Sequence, residues 1–357
     1  MQFKVLNIKD AADRAQWTAL WEQWPQKEVH AHPAYVSLYL NEMTEAYCAA
    51  LESEDGNILY PFICRDITKE PYGNVGVVPL WDIITPYGYG GPFLWNCSNA
   101  NAVASYFWRV FDLWAAKKNI VSEVIKYNLF NDHMLPYCSA KDEQMKNIVV
   151  DLRPDEEVLW MSFDHKVRKN VNKAVRAGVH VAVDTRGERL NDFLKVYKET
   201  LDRRAADRKY YFNAEYFTKM HEGLPGQFAY FHALHDNQVI STELVLISAE
   251  SIYSFLGGTL KEKFSLSPND LLKYEIIKWA KNNSKKYFVL GGGYENEDGI
   301  YRHKRSFSPA GIFPFYIGSR ICNAVLYNKL LNNKKEMELS KGNSWAPVTG
   351  FIPEYRT

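Results

Sequence analysis

Phe288-Val-Leu-Gly-Gly-Gly-Tyr-Glu-Asn-Glu-Asp-Gly-Ile-Tyr-Arg-His-Lys-Arg-Ser-Phe-Ser-Pro309 concentrates more chemistry than any other stretch of this chain. Tyr287 to Leu290 is a short apolar run and reads as a buried strand. It breaks on Gly291, Gly292 and Gly293, which leave the backbone free to take positive φ and let another group approach closely. Acids and a turn follow (Glu295, Glu297, Asp298, Gly299), then a dense basic patch (Arg302, His303, Lys304, Arg305), read as a charged hairpin. A glycine turn leading into a solvated hairpin is the plain alternative.

Working outward, the chain has 357 residues. That exceeds the ~250–300 at which a single core stops growing, so two domains are expected. Tyr and Trp are plentiful, at 23 and 10, and suit half-buried cleft walls with an apolar body and a polar tip. A formal charge of +1 argues against a general nucleic-acid binder, DNA included, while leaving room for a local basic groove. Cys48, Cys64, Cys97, Cys138 and Cys322 show no C-x-x-C spacing, which points to reduced thiols and a cytoplasmic setting rather than a disulfide framework. No His/Asp/Glu spacing suggests a metal site. No apolar run is long enough to span a membrane, and the N-terminus lacks a signal-peptide core.

Each half shows the same order of elements, strand, helices, antiparallel strands, helix, strand, over 3–125 and 147–317. The expected domains are 1–145 and 146–331, followed by a polar tail over 332–357. Asp236-Asn237 is a turn pair between strands 228–235 and 238–247. The spacing predicts one long helix from Asp155 or Glu156 to Ala177, ended by Gly178. Its apolar stripe is Leu159, Phe163, Val167, Val171 and Ala174. Lys166, Lys169, Lys173 and Arg176 share another face, with Arg168 beside them. Such a row either is a solvated face or meets an anion. Thr85 to Leu94 has two prolines and three glycines, so no regular element is expected there. Its Tyr87 and Tyr89 read either as cleft lining or as a tight aromatic turn. Arg203 and Arg204, with Tyr210 and Tyr211, either extend an acceptor pocket or form a solvated helix end.

Three places in the second half resemble the FemAB/FemX-like acyltransferases, relatives of the GNAT N-acetyltransferases. Asp151-Leu152, followed by Lys166-Val-Arg168 and Ala174 to Val179, is similar to that family's D-L … K-x-R-x-x-I-x-x-A-x-x-x-G-V. Leu266-Ser-Pro268-Asn-Asp-Leu-Leu272 opens a helix in the matching place. Gly291-Gly-Gly293, then Gly299-Ile-Tyr-Arg-His-Lys304-Arg-Ser-Phe307, resembles the glycine pair followed by G-L-x-x-F-K-x-x-F, with His303 where phenylalanine is usual. In the first half Pro86 to Pro92 is similar to a loop of envelope-polysaccharide members.

The resemblance implies an α/β fold of two tandem GNAT-like domains, each a mixed, largely antiparallel sheet flanked by helices. It implies transfer of an acyl or aminoacyl group to an amine of a phosphate-bearing sugar or cell-envelope precursor. The alternatives are a transferase of peptidoglycan bridges that depends on aminoacyl-tRNA, and a non-catalytic binder of envelope glycans. Lys304 matches the family's lysine at the reaction centre, and Arg168 an arginine expected to hold acceptor phosphate. Lys166 and Lys169 would join Arg168 in clamping a diphosphate, and Arg204, Tyr211, Tyr87 and Tyr89 would line the acceptor. Glu297 or Asp298 would take the amine proton. Gly291, Gly292, Gly293 and Asn269 would face the donor. No cofactor is expected to stay bound; the co-substrate is acyl-CoA or aminoacyl-tRNA. The GNAT acetyl-CoA signature, Q/R-x-x-G-x-G/A, is missing before the helix at Asn269, and no coiled-coil arm is inserted.

Overall fold

The computed structural model describes residues 1–357 except 75, 77, 78, 138–140, 294, 296, 349–352 and the side chain of residue 131. The fold divides into two units. One comprises Met1–Pro25, His30–Gln144 and Phe315–Thr357; the other comprises Gln26–Val29 and Met145–Pro314.

The first unit contains β1 (Gln2–Asn7), α1 (Ala11–Gln23), α2 (Pro33–Ser37), β2 (Thr44–Glu52), β3 (Asn57–Asp66), β4 (Trp81–Ile84), β5 (Phe93–Trp95), α3 (Ala100–Lys117) and β6 (Ile120–Lys126). Its sheet runs β1-β2-β3-β4-β6, with β5 on β3, and β4/β6 is a parallel pair. Asp10 caps α1 by accepting from the Ala12 and Asp13 amides. Val103, Phe107, Phe111 and Ala115 of α3 are buried with Tyr60, Phe62 and Ile125 in one aromatic-rich core.

The second unit contains β7 (Lys141–Asp151), from Met145 on, then α4 (Glu156–Ser162), α5 (His165–Arg176), β8 (His180–Asp184), α6 (Leu190–Arg203), α7 (Ala214–Gly223), β9 (Phe228–His235), β10 (Gln238–Ile247), β11 (Ser251–Thr259), α8 (Pro268–Asn282), β12 (Tyr287–Gly291) and α9 (Gly299–Arg305). Its strand order is β7-β12-β11-β10-β9-β8. Every neighbouring pair is antiparallel except β11/β12. That parallel ladder joins Ser251–Tyr287, Ile252–Phe288 and Tyr253–Val289 and then stops. β11 runs on to Thr259, so the two strands part and leave a wedge. The core packs α5 and α8 on the sheet through Val167, Val171, Leu272 and Ile276. β13 (Ile312–Ile321), from Phe315 on, and α10 (Ala324–Ser340) return to the first unit, where β13 pairs with β6.

The structure departs from the sequence reading in four places. The basic hairpin is instead a helix, α9, because the Asp298 carboxylate caps the Tyr301 amide at 2.7 Å. The long helix over 155–177 is two helices. Phe163 and Asp164 are extended there (ψ 149° and 143°), and the Asp164 amide donates to the Ser306 carbonyl at 2.9 Å instead of within the helix. The stripe from Leu159 to Ala174 is buried nonetheless, and Gly178 ends α5 with φ +79° while Val179 N donates to Ala174 O at 3.0 Å. The chain beyond 314 packs with the first unit rather than with a domain over 146–331. Finally, 332–357 is no loose tail: α10 reaches Ser340 and Tyr355 is fully buried. The Tyr355 hydroxyl donates to Asp82 at 3.2 Å, and Arg356 Nε meets the same carboxylate at 2.6 Å.

Cys48 and Cys64 are buried free thiols, Cys97 and Cys322 are also free, and Cys138 lies outside the described residues. No helix among the described residues is long and apolar enough to cross a membrane.

Candidate functional site

The wedge where β11 leaves β12 gathers Lys273, Glu243 and Lys304. Tyr301 and Phe307 are buried and anchor α9, which turns Lys304 back over the glycine segment. Its ammonium donates to the Gly292 carbonyl at 2.7 Å. Glycine is needed here for two reasons. Gly291 has φ +78°, and a Cβ on Gly293 would lie 2.3 Å from Asp298 Oδ1. The glycines thus let the Gly292 carbonyl meet Lys304 and the Asp298 carboxylate fold against the Gly293 backbone.

Burial lowers the Lys304 pKa from the usual 10.5 to about 8; the charge of Lys273 adds to this, and Glu243 and Asp298 oppose it. Lys273 and Glu243 form a buried ion pair, with side chains 7% and 5% exposed. Lys273 also donates to Ser254 Oγ at 3.1 Å. Beside them His303 is pushed down to about 4, first by burial, then by Lys273, Lys304 and Lys166. Its Nε2 stands 3.8 Å from Asp270 Oδ1. Burial raises the Asp270 carboxyl, while a bond from Asn170 and the charge of Lys166 pull it back. A neutral imidazole at that distance is a contact and not an ion pair.

The structure thus brings Lys304, Asp298, Gly291, Gly292 and Gly293 together, with Lys166 at the Asp270–His303 corner. Asn269 is half-buried as the second residue of α8. Lys169 is exposed on the outer face of α5. Arg168 turns its Nη1 to the Met161 carbonyl at 3.0 Å and to that of Phe163, capping the end of α4. The Phe163 and Phe307 rings, 5.7 Å apart, join that turn to the end of α9. Glu297 has an exposed side chain and φ +54°, and its carbonyl accepts from Arg302 at 2.8 Å. Arg204 is exposed at the end of α6, and Tyr211 bonds Asp202 at 3.0 Å.

Tyr87 and Tyr89 belong to the first unit. The Tyr87 carbonyl accepts from the Tyr35 hydroxyl at 2.9 Å and its ring stacks on Tyr39. Tyr89 packs edge-on to His30 and Phe315. A cavity of about 170 Å³ lined by Asp184, Arg186, Arg189 and His232 lies at the β8 edge and includes nothing from α8, α9 or β12. Among the described residues no group of three or more His, Cys, Asp or Glu could hold a metal ion.

Glu243, Lys273 and Ser254 are the residues that motif reading passes over. The signal was available: Glu243 is the one charged residue between Val239 and Ile247, and Lys273 lies on the turn between Leu272 and Ile276. A charge in such a place needs a partner.

Residues 161–305 match the family described as Acetyltransferase (GNAT) domain. That segment holds Arg168, Glu243, Lys273 and Lys304. A UDP-N-acetylmuramoylpentapeptide-lysine N(6)-alanyltransferase from Weissella viridescens is 24% identical over 166 residues, 45% of this chain and 48% of that protein. The match therefore spans about half the length of that curated relative. Among solved structures, a crystal structure of FemX superposes with a TM-score of 0.66 at 13% identity, covering 92% of this chain and 99% of that one. The C-terminal domain of a putative lysylphosphatidylglycerol synthetase from Agrobacterium fabrum gives 0.54 at 13% identity, over 91% and 97%. Fold and sequence agree with the motifs: residues 161–305 match a GNAT acetyltransferase domain, and the fold is similar to that of FemX.

Proposed function

We propose that this chain is an N-acyltransferase that moves an aminoacyl group onto a primary amine of a peptidoglycan-type precursor. The observation that carries this reading is Lys304, half-buried in the β11/β12 wedge and bonded to the Gly292 carbonyl. The attacking amine must be neutral, and the carbonyl oxygen gains negative charge as the C–N bond forms. The remaining N–H groups of Lys304 supply a positive donor for that oxygen in a partly dry site. As the intermediate collapses, the C–O bond to the donor breaks and the leaving oxygen needs a proton. The amine sheds one at the same time. Asp298, whose charge acts on Lys304, would receive it directly or through water. His303, held unprotonated near neutral pH, adds no competing cation.

For the acceptor, the name of the Weissella relative specifies a lysine N6 amine on a muramoyl pentapeptide. That favours a peptidyl amine over the amine of a phosphate-bearing sugar. The exposed cations of α5, Lys166, Lys169, Lys173 and Arg176, suit the precursor's phosphates. For the donor, α8 offers a poor seat for a CoA pyrophosphate. Pro268 at its first turn has no N–H to give, and Asp270 places a buried carboxylate there. This favours an aminoacyl ester, as on charged tRNA, over a thioester.

The test incubates the protein with a muramoyl-pentapeptide precursor and either charged tRNA or acyl-CoA, and reads the product mass. One added aminoacyl group with charged tRNA alone is expected. Lys304→Ala and Arg168→Ala should each lower transfer at least tenfold in folded protein; unchanged rates in both reject the site. A non-catalytic glycan binder would give no product with either donor.

A further inference from the structure

The buried Lys273–Glu243 pair has no place in the steps above. It is also poor ground for stability, since desolvating two charges offsets most of what their contact returns and apolar replacements often fold as well. Its surroundings suggest another role. Ser254, which accepts from Lys273, is the first β11 residue beyond the last one paired to β12. The Lys273 ammonium lies 5.6 Å from the ring of Phe288 in β12. Lys304 reaches the Gly292 carbonyl immediately past the end of the same strand. Lys273 thus comes to the β11 side of the wedge from α8 and Lys304 to the end of β12 from α9, near enough for the charge of one to act on the other.

We propose that Lys273, clamped by Glu243 and Ser254, is a positioning residue for Lys304: it fixes a second positive charge beside the wedge and so tunes the ammonium that Lys304 presents to the reacting carbonyl. The significance for turnover rests on the acyl-transfer reading; the coupling between the two lysines does not. The groups bearing on Lys304 are Lys273 from α8, Glu243 from β10 and Asp298 from the turn before α9. His303 adjoins it in α9, with Asp270 of α8 and Lys166 of α5 facing that imidazole. Burial and Lys273 weaken the hold of Lys304 on its proton, and Glu243 and Asp298 strengthen it.

The full chain, labelled with 13C at lysine Cε, reports the Lys304 titration by NMR, its signal assigned by loss in Lys304→Arg. The midpoint expected in the unaltered protein is about 8. Lys273→Met should raise it by about one pH unit or more, because a like charge is removed. Lys273→Arg should keep it near its original value. The double variant Lys273→Met/Glu243→Gln should fall between the original and Lys273→Met, since Lys273 outweighs Glu243. A merely structural pair would change Tm and leave the midpoint alone. An unmoved midpoint in both Lys273→Met and the double variant overturns the proposal, and the double variant carries the test if Lys273→Met does not fold. Transfer rates against pH separate the two ideas. If the midpoint moves while the pH profile of kcat does not follow, Lys304 loses its place in transfer and the coupling stands.

Discussion

Lys304→Met should make the protein more stable near neutral pH while it stops acyl transfer. A buried ammonium whose pKa falls from 10.5 to about 8 is a load on the folded state. At ~1.36 kcal/mol per tenfold change in proton affinity, that load is about 3 kcal/mol. Lys304 keeps some contact with solvent, so screening reduces the figure to about 2 kcal/mol. Methionine fills the same space without charge, but it gives up the bond to Gly292, worth about 1 kcal/mol net. The variant should then exceed the parent by about 1 kcal/mol at pH 7. The direction with pH follows from proton counting. Between about pH 8 and 10.5 the unfolded parent binds more protons at this lysine than the folded parent, so the parent gains stability as pH rises through that window. Below pH 8 the load is fully present. The advantage of the variant should therefore shrink and reverse by pH 10.5. Urea titrations at pH 7, 8, 9 and 10 measure this, read by the fluorescence of Trp160 and Trp279, the two tryptophans of the second unit. A difference that stays constant over that range would refute the reasoning, because it would mean the ammonium carries no burial cost.

Other substitutions test the neighbouring features. Arg168→Ala removes the donor from the Met161 and Phe163 carbonyls. It should cost about 1–2 kcal/mol in urea unfolding of the second unit, separate from any loss of acceptor affinity read as KM. Gly293→Ala drives a methyl to 2.3 Å from Asp298 Oδ1; transfer should fall at least tenfold with the far-ultraviolet circular dichroism unchanged. Arg356→Met strips a guanidinium from Asp82 and Glu70 while Arg65 keeps its hold on Asp82. It should destabilise the first unit by about 2–3 kcal/mol in calorimetry, and an unaltered Tm would show that the C-terminal segment is dispensable.

What could be read from the residues, and what could not, follows from how local each cause is. The β9/β10 hairpin stands at 228–235 and 238–247 as its sequence suggests, since Asp236 and Asn237 take φ of 50° and 62° themselves and no distant residue is needed for the turn. The break at Phe163 is different. Its apolar stripe stays in phase whether or not the helix is continuous, and the deciding bond comes from Ser306, far along the chain. α9 was disguised for a related reason: three cations and a histidine in seven residues read as a charged hairpin, while the cap from Asp298 and the anchors Tyr301 and Phe307 were outweighed. α7 was missed although Asn213 caps it and Tyr216, Phe217 and Met220 repeat at helical spacing. The site divides along the same line. Lys304 and the glycines lie within one short segment, so a motif finds them. Glu243 and Lys273 come from two elements that meet only in the folded chain. Yet each puts a charge at a buried position of its element, and neither has a local remedy. A lone carboxylate in a buried strand and a lone ammonium on the inner side of a helix each cost more than a fold of this size can easily carry. The two anomalies are therefore best read as one pair, and matching unpaired buried charges of opposite sign across elements is a physical rule that reaches residues no motif contains.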